Sequence, residues 1–294
     1  MATIYTQQSK NTRRTWLLMA VFLAIIVALG YFISYYYNNP VILYIAIIFS
    51  ILMNVASYWW SDKIVLSMSG AVEAKHDEYP DLYHIVENLS ITAGLPMPKV
   101  YIMNEPAPNA FATGRNKEHA VVAVTTGLLG LLNKTELEGV IAHELSHIGN
   151  KDILLSTVVV VLVGFVSILA NIFLRGGMRR GSRDNEKGGN IFAVIGIIFV
   201  ILSPIFAKLI QLAISRKREF LADASGVLLT RYPEGLASAL QKISGANIPM
   251  AHANNATAHL FISDPFSGVG KKVFNLFSTH PPVEARIKAI MGTK

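Results

Sequence analysis

The sequence predicts a mainly α-helical membrane protein of the α+β class, with four transmembrane helices and a small β-sheet. Of the 294 residues, 52% are hydrophobic and the mean hydropathy is +0.42. A soluble globular chain of this length is rarely so apolar. The apolar residues also concentrate in four runs of about 20 residues, each long enough to cross the hydrocarbon core of a bilayer.

Charge and cysteine usage narrow the class of protein further. The net charge is +7 and cysteine is absent. Without cysteine the chain has neither disulfides nor thiolate ligands, so a bound zinc ion needs His, Asp or Glu. The positive charge is expected in loops at anionic lipid headgroups. No basic stretch interleaved with aromatic residues indicates a nucleic-acid surface.

Residues 1–60 are interpreted as an N-terminal transmembrane hairpin. The apolar run at 15–37 is too long for the hydrophobic region of a signal peptide, and an Asn-Asn-Pro turn separates it from a second run at 41–60. A hairpin returns the chain to its starting side. Basic residues at 10, 13 and 14 precede the first run, and the positive-inside rule places that side in the cytoplasm.

Residues 61–152 are soluble in character and are predicted to form the first cytoplasmic part. Helical and alternating patterns predict, in order, a helix at 81–95, a strand at 99–103, a candidate edge strand at 109–114, a strand at 120–126 and a helix at about 136–148. Thr135 and Glu138 are interpreted as a capping box that begins the last helix.

Residues 153–214 predict a second transmembrane hairpin, with apolar runs at 153–174 and 191–214. The alternative is a buried hairpin in a soluble fold. The Arg-rich loop between the runs should stay cytoplasmic by the positive-inside rule, whereas a hairpin from a cytoplasmic site places it outside. Residues 215–294 are the second cytoplasmic part, and an amphipathic pattern predicts a helix at 283–290.

A metal-binding pattern lies in the helix predicted before the third run. His143 and His147 are four residues apart and therefore share one helical face, so both imidazoles can reach one zinc ion. Glu144 between them can take a proton from a metal-bound water. The alternative interpretation is a helix with two ordinary histidines.

A third ligand is needed because catalytic zinc takes three protein groups and keeps one position for water. A histidine six residues after His147 is excluded, since that position is Ile153. Glu219 is the better candidate. Asp223, one helical turn later, can accept the free N–H of a ligating imidazole. The pattern thus favours a gluzincin-like zinc metallopeptidase domain with one Zn²⁺ per chain, although both carboxylates could instead be solvated.

Four motifs together resemble those of the HtpX family of membrane-bound zinc metalloproteases, which is related to the CAAX prenyl protease type I and Oma-type proteases. The motifs are His143-Glu144-Leu145-Ser146-His147, Ser215-Arg216-Lys217-Arg218-Glu219-Phe220 with Ala222-Asp223, Asn109-Ala110-Phe111-Ala112-Thr113-Gly114, and Thr279-His280-Pro281-Pro282. The resemblance covers nearly the whole chain. It implies the ligands His143, His147 and Glu219, catalytic Glu144, an active site facing the cytoplasm from the cell membrane, and membrane-protein quality control under stress.

Further residues are candidates for contact with the substrate. His280 is the first candidate for a donor to the developing oxyanion, and Arg286 is a second. The alternatives are a histidine that caps the Pro-Pro turn and a solvated arginine. Asn109, Ala110 and Phe111 begin the candidate edge strand, which can accept an extended peptide through main-chain hydrogen bonds.

Three functions remain open from the sequence. The first is an endopeptidase for unfolded, misfolded or damaged membrane proteins. The second is a processing protease for one lipidated or membrane peptide. The third is a non-catalytic membrane protein that binds clients and holds a structural zinc, against which Glu144 argues because a structural site needs no base. The sequence indicates neither the substrate nor the oligomeric state.

Overall fold

The computed structural model describes residues 4–180, 216–251, 257–266 and 281–292. Ten α-helices and four strands occur in these ranges. They are α1 (Ile4–Tyr37), α2 (Val41–Trp59), α3 (Ser61–Met68), β1 (Ala71–Glu73), α4 (Pro80–Ala93), β2 (Lys99–Met103), β3 (Ala110–Gly114), β4 (Ala120–Thr125), α5 (Thr126–Leu131), α6 (Lys134–Gly149), α7 (Asp152–Arg180), α8 (Arg216–Thr230), α9 (Pro233–Ala246) and α10 (Val283–Ile290).

Two of the predicted membrane helices are present with the expected apolar composition, and the first begins before the predicted run at 15–37. Gln8–Tyr37 and Val41–Trp59 are each long and apolar enough to cross a bilayer. Helices α6 and α7 meet at 85° and would add a third crossing only if the bent pair counted as one span. The predicted fourth run, 191–214, lies outside the described residues.

The small sheet has the strand order β1-β2-β4-β3. Strands β2 and β4 are parallel, whereas β1 and β3 pair antiparallel to their neighbours. Among the described residues, strand β3 is hydrogen-bonded within the sheet only to β4, so the predicted edge position is confirmed for this part of the chain. Because side chains alternate along a strand, Val122 and Val124 face the cluster formed with α4, α6 and α9, while Val121 and Ala123 face α3 and α7.

The start of α6 differs from the prediction. The capping box is formed by Asn133 and Glu136, and the proposed pair of Thr135 and Glu138 was wrong. Asn133 accepts a hydrogen bond from the Glu136 N–H at 3.0 Å, and Glu136 accepts one from the Asn133 N–H at 2.9 Å. Ser238 and Lys242 of α9 also bind the Glu136 carboxylate, so this cap joins two helices.

Helix α6 approaches two neighbouring helices closely at glycines. A Cβ placed on Gly226 of α8 would lie 3.0 Å from the His143 amide nitrogen. A Cβ placed on Gly139 would lie 2.7 Å from the backbone nitrogen of Leu236 in α9. These contacts allow α8 to place its side chains directly against the histidine face of α6.

Candidate metal centre

Helices α6 and α8 bring three ligand atoms to one point. His143 Nε2 and His147 Nε2 are 3.2 Å apart. Glu219 Oε1 lies 3.6 Å from the His147 atom, and Glu219 Oε2 lies 3.8 Å from the His143 atom. Zn–ligand bonds of about 2.0–2.1 Å in a tetrahedron separate the ligand atoms by about 3.3 Å. The three side chains therefore fit a zinc ion, and they form a cluster that could hold a metal.

A carboxylate orients each of the two imidazoles. His143 Nδ1 lies 2.9 Å from Asp223 Oδ1, so the structure places Asp223 within hydrogen-bond distance of this imidazole. His147 Nδ1 lies 3.1 Å from Asp152 Oδ2. Each ring then has Nε2 directed toward Glu219. Hydrogen bonds of this kind fix the tautomer of a metal-ligating histidine.

Asp152 was not among the residues that the sequence predicted for this centre. It is the first residue of α7 and lies five positions after His147 across the bend between the helices. The available signal was an acidic residue at the start of the third apolar run, where a carboxylate also interacts favourably with the helix dipole. Its contact with His147 depends on the 85° bend, which the sequence does not indicate.

Glu144 is buried beside the ligands, with 1% of its surface exposed. Among the described residues its Oε1 atom has no hydrogen-bond partner. Burial raises the pKa of this carboxyl above its ordinary value, and the charge of Glu219 adds to the rise. A carboxylate oxygen without a hydrogen-bond partner beside a metal position could accept a proton from a water molecule there.

The charges around the centre favour a divalent cation. Burial lowers the pKa of His147 in the metal-free protein, but the hydrogen bond to Asp152 and the nearby carboxylates outweigh it and raise that pKa to about 9. Burial raises the pKa of Asp223, but hydrogen bonds from His143 and Arg286 outweigh it and hold that pKa well below its usual range. Four carboxylates surround the centre, those of Glu144, Asp152, Glu219 and Asp223, and two guanidinium groups lie beside them, those of Arg218 and Arg286.

Arg286 binds the carboxylate of Asp223, which in turn contacts His143. Its Nε and Nη2 donate to the two oxygens of Asp223 at 2.9 and 2.7 Å, and Nη1 donates to the Ile262 carbonyl at 3.2 Å. Only 1% of the residue is exposed, so the solvated alternative is excluded. Buried ion pairing outweighs the cost of burial and raises the pKa of Arg286.

The side chains at the start of β3 point into the protein. Asn109 Nδ2 donates to the Ser263 carbonyl at 3.0 Å, and Phe111 packs edge-to-face on Phe261 with ring centroids 5.4 Å apart. Ala110 is fully buried, and its carbonyl accepts from the Ile262 N–H at 2.9 Å. None of these three side chains lines the cavity at the metal centre, whereas Ala112 does.

That cavity measures about 40 Å³ and lies between the ligands, the start of α7 and residues 259–262. It has room for water beside Glu144. His280, the other candidate for a contact with the substrate, lies outside the described residues.

Apolar helices joined to a domain with two histidines and a glutamate around one metal position define a membrane metalloprotease. The profile of Peptidase family M48 matches residues 76–294, and the chain belongs to that family. The predicted resemblance to the HtpX family is also confirmed. The chain is 49% identical over 296 residues to a "Protease HtpX homolog" of Caldanaerobacter subterraneus subsp. tengcongensis, covering 98% of this chain and 97% of the relative.

Other comparisons agree with this family. A "Protease HtpX homolog" of Pyrococcus furiosus is 50% identical over 280 residues, covering 94% of each chain. The crystal structure of S. mikatae Ste24p superimposes with a TM-score of 0.51 at 16% identity, covering 97% of this chain and 67% of that chain. The Ste24p comparison shows a shared fold.

Proposed function

We propose that the protein is a zinc-dependent endopeptidase that cleaves misfolded or damaged membrane proteins at the cytoplasmic face of the cell membrane. The observation that carries this proposal is the convergence of His143 Nε2, His147 Nε2 and a Glu219 oxygen beside the uncommitted Glu144 carboxylate. Three protein ligands with a fourth position for water distinguish a catalytic zinc site from a structural one.

In the proposed mechanism His143, His147 and Glu219 hold the metal. A bound zinc ion supplies a Lewis acid for the scissile carbonyl and lowers the pKa of a coordinated water. Glu144 would accept a proton from a water molecule as the water oxygen attacks the scissile carbonyl carbon, and would deliver that proton to the amine nitrogen as the C–N bond breaks. Asp223 and Asp152 keep the two imidazoles in the tautomer that directs Nε2 toward the metal.

The substrate is proposed to bind as an extended strand along the outer edge of β3. The Asn109 carbonyl accepts from the Thr125 N–H of β4 at 3.0 Å, and the Asn109 N–H donates to the Thr125 hydroxyl at 2.9 Å. The backbone groups of residues 109, 111 and 113 therefore face β4. Those of Ala110, Ala112 and Gly114 then face outward. Since Ala110 already bonds Ile262, the edge available beside the metal centre begins at Ala112. Asn109, Ala110 and Phe111 support that edge from within.

The oxyanion donor remains proposed to be His280. Arg286 is a weaker candidate for a substrate contact, because its guanidinium is bound to Asp223 and Ile262. We assign Arg286 to the support of Asp223 and His143.

The membrane arrangement is proposed to follow the sequence domains, with hairpins at 1–60 and 153–214 and cytoplasmic parts at 61–152 and 215–294. Trp16 of α1 stacks on Tyr58 of α2 with ring centroids 6.0 Å apart, and Trp59 packs edge-to-face on Tyr58 at 5.5 Å. Trp59 and Trp60 are both about half exposed. Aromatic residues of this kind mark a membrane–water interface. The metal centre then lies just outside the bilayer on the side of the N-terminus.

The decisive test replaces the proposed base. Glu144→Gln keeps the shape of the side chain and removes the proton acceptor, so purified protein should retain one zinc per chain by elemental analysis. Cleavage of unfolded casein should fall by about 10²–10⁴-fold. Glu138→Gln, on the same helix and away from the ligands, is the matched control.

Two further observations decide between outcomes. A chelator should abolish the activity of the unaltered protein, and added zinc should restore it. Normal turnover by the Glu144→Gln variant would contradict the proposal. Cleavage of a prenylated peptide with no cleavage of casein would replace it with the processing function.

A further inference from the structure

The N-terminal helix reaches into the metal centre through one buried amide. Asn11 of α1 is 1% exposed. Its Nδ2 donates to Asp152 Oδ1 at 2.5 Å and approaches the Asn150 carbonyl at 3.4 Å. Its Oδ1 accepts from Arg218 Nη1 at 3.3 Å. One side chain therefore contacts both the start of α7 and the start of α8.

Two residues that Asn11 contacts, Asp152 and Arg218, are each directly connected to a proposed metal ligand. The second oxygen of Asp152 lies 3.1 Å from His147 Nδ1. Arg218 immediately precedes Glu219, and its Nε lies 3.8 Å from Asp152 Oδ1. Asp152 and Arg218 are 3% and 6% exposed, so neither group can exchange its partner for solvent at low cost.

We propose that Asn11 is a positioning residue of the metal centre, which holds Asp152 so that His147 presents Nε2 to the zinc ion. The proposal rests on the zinc site proposed above. An amide suits this place because it donates to a carboxylate and accepts from a guanidinium at the same time. A carboxylate here would repel Asp152, and an apolar side chain would leave buried Asp152 and Arg218 without this partner.

Through Asn11, the first membrane helix becomes part of the proposed zinc site. The family profile begins at residue 76, so Asn11 lies outside the part of the chain that it matches. Gln8, one turn earlier on α1, donates to the Gly149 carbonyl at 2.8 Å and holds the same bend. Phe22 and Val158 belong to the buried cluster that joins α1 and α7 further along, so the amide contact is the end of a continuous packing surface.

Zinc affinity is the readout that separates positioning from general stability. The full-length protein in detergent is titrated against a chromogenic chelator, and its thermal unfolding is followed with and without zinc. Asn11→Leu should weaken zinc binding by about 10–100-fold, the range typical for loss of a group that orients a ligand. Thr12→Leu, at the exposed neighbouring position on the same helix, should leave zinc affinity unchanged.

An exchange of the two side chains tests the geometry without a change of volume. Asn11→Asp should weaken zinc binding because it places two carboxylates together. Asn11→Asp combined with Asp152→Asn should recover affinity. In this double variant the new amide at position 152 can donate to the carboxylate at position 11 and accept from His147, while Arg218 pairs with the moved carboxylate.

The outcomes separate this inference from the proposed function. Zinc affinity within about twofold of the unaltered protein in both Asn11 variants would overturn the positioning role, even if thermal stability fell. Failure of the double variant to bind zinc better than Asn11→Asp would also overturn it. If the unaltered protein bound no zinc, the proposed function would fail as well.

Discussion

At the scale of single residues, the centre depends on charged groups that neutralise one another away from water. Asp223 pairs with Arg286 and with His143. Asp223 and Arg286 are each 1% exposed. Removal of one partner from this set should destabilise the fold, because the charge of the other partner then stays buried without compensation from solvent. The sequence could place Asp223 on the same helical face as Glu219, but Arg286 is 63 residues further along and no local pattern predicts that contact.

Replacement of Arg286 tests this dependence. Arg286→Met leaves Asp223 buried without its bidentate partner and should destabilise the protein by about 3–5 kcal/mol. Chemical unfolding in detergent measures the change. Lys288→Met on the exposed face of the same helix is the control and should change stability little. Equal effects of the two substitutions would contradict the assigned role of Arg286.

The pKa of His147 predicts how the metal-free protein responds to pH. That pKa is raised from 6.5 to about 9 in the folded state, so the protonated imidazole stabilises the fold fully below pH 6.5. This contribution is lost as the pH rises through about 9. The unfolding temperature of the chelated protein should therefore fall between pH 6.5 and about 9, and this fall should be larger than in the Asp152→Asn variant. An identical pH profile for the two proteins would contradict the assignment.

At the scale of elements, helices and strands with a regular hydrophobic pattern were predicted closely. The exact residue at which a helix begins depends on its capping side chains. Strand β2 begins and ends as predicted, and so does the helix Val283–Ile290. The capping box of α6 was misassigned by two residues because both Asn133–Glu136 and Thr135–Glu138 have suitable spacing. The contacts of Glu136 with Ser238 and Lys242 of α9, which are tertiary features, distinguish them.

The close approach of α8 to α6 predicts an effect of a single methyl group. Gly226→Ala places a Cβ 3.0 Å from the His143 amide and should push Glu219 away from the histidines. Zinc affinity should fall, as measured by chelator competition. Gly245→Ala on α9 has open space around the new methyl group and should be neutral or slightly stabilising. Unchanged zinc affinity in Gly226→Ala would show that the two helices can separate without loss of the site.

At the scale of the whole molecule, the sequence predicted the two membrane helices of the first hairpin and the edge strand, and it could not predict how they meet the metal centre. The first hairpin was recognised from its hydropathy, which is a local property. Asn11 was not singled out, because its partner Asp152 is 141 residues away. Contacts of that range depend on the packing of α1 against α7, which periodicity does not encode.

The proposed topology can be tested directly because the natural chain lacks cysteine. Asn39→Cys, at the exposed turn between α1 and α2, should react with a membrane-impermeant maleimide applied to intact cells. Lys75→Cys, at an exposed position in the part of the chain proposed to be cytoplasmic, should react only after the membrane is opened. The reverse labelling pattern would place the active site outside the cytoplasm.

The 85° corner between α6 and α7 gives metal loading a mechanical consequence. His147 near the end of α6 is hydrogen-bonded to Asp152 at the start of α7. A metal ion bound to His147 would therefore also restrict the angle between the two helices. Without a metal ion the bend keeps its hydrogen bonds from Gln8 and Asn11 but lacks the restraint that a ligand bond to His147 would add. The tilt of α7 relative to the sheet should then vary more widely than in the loaded protein.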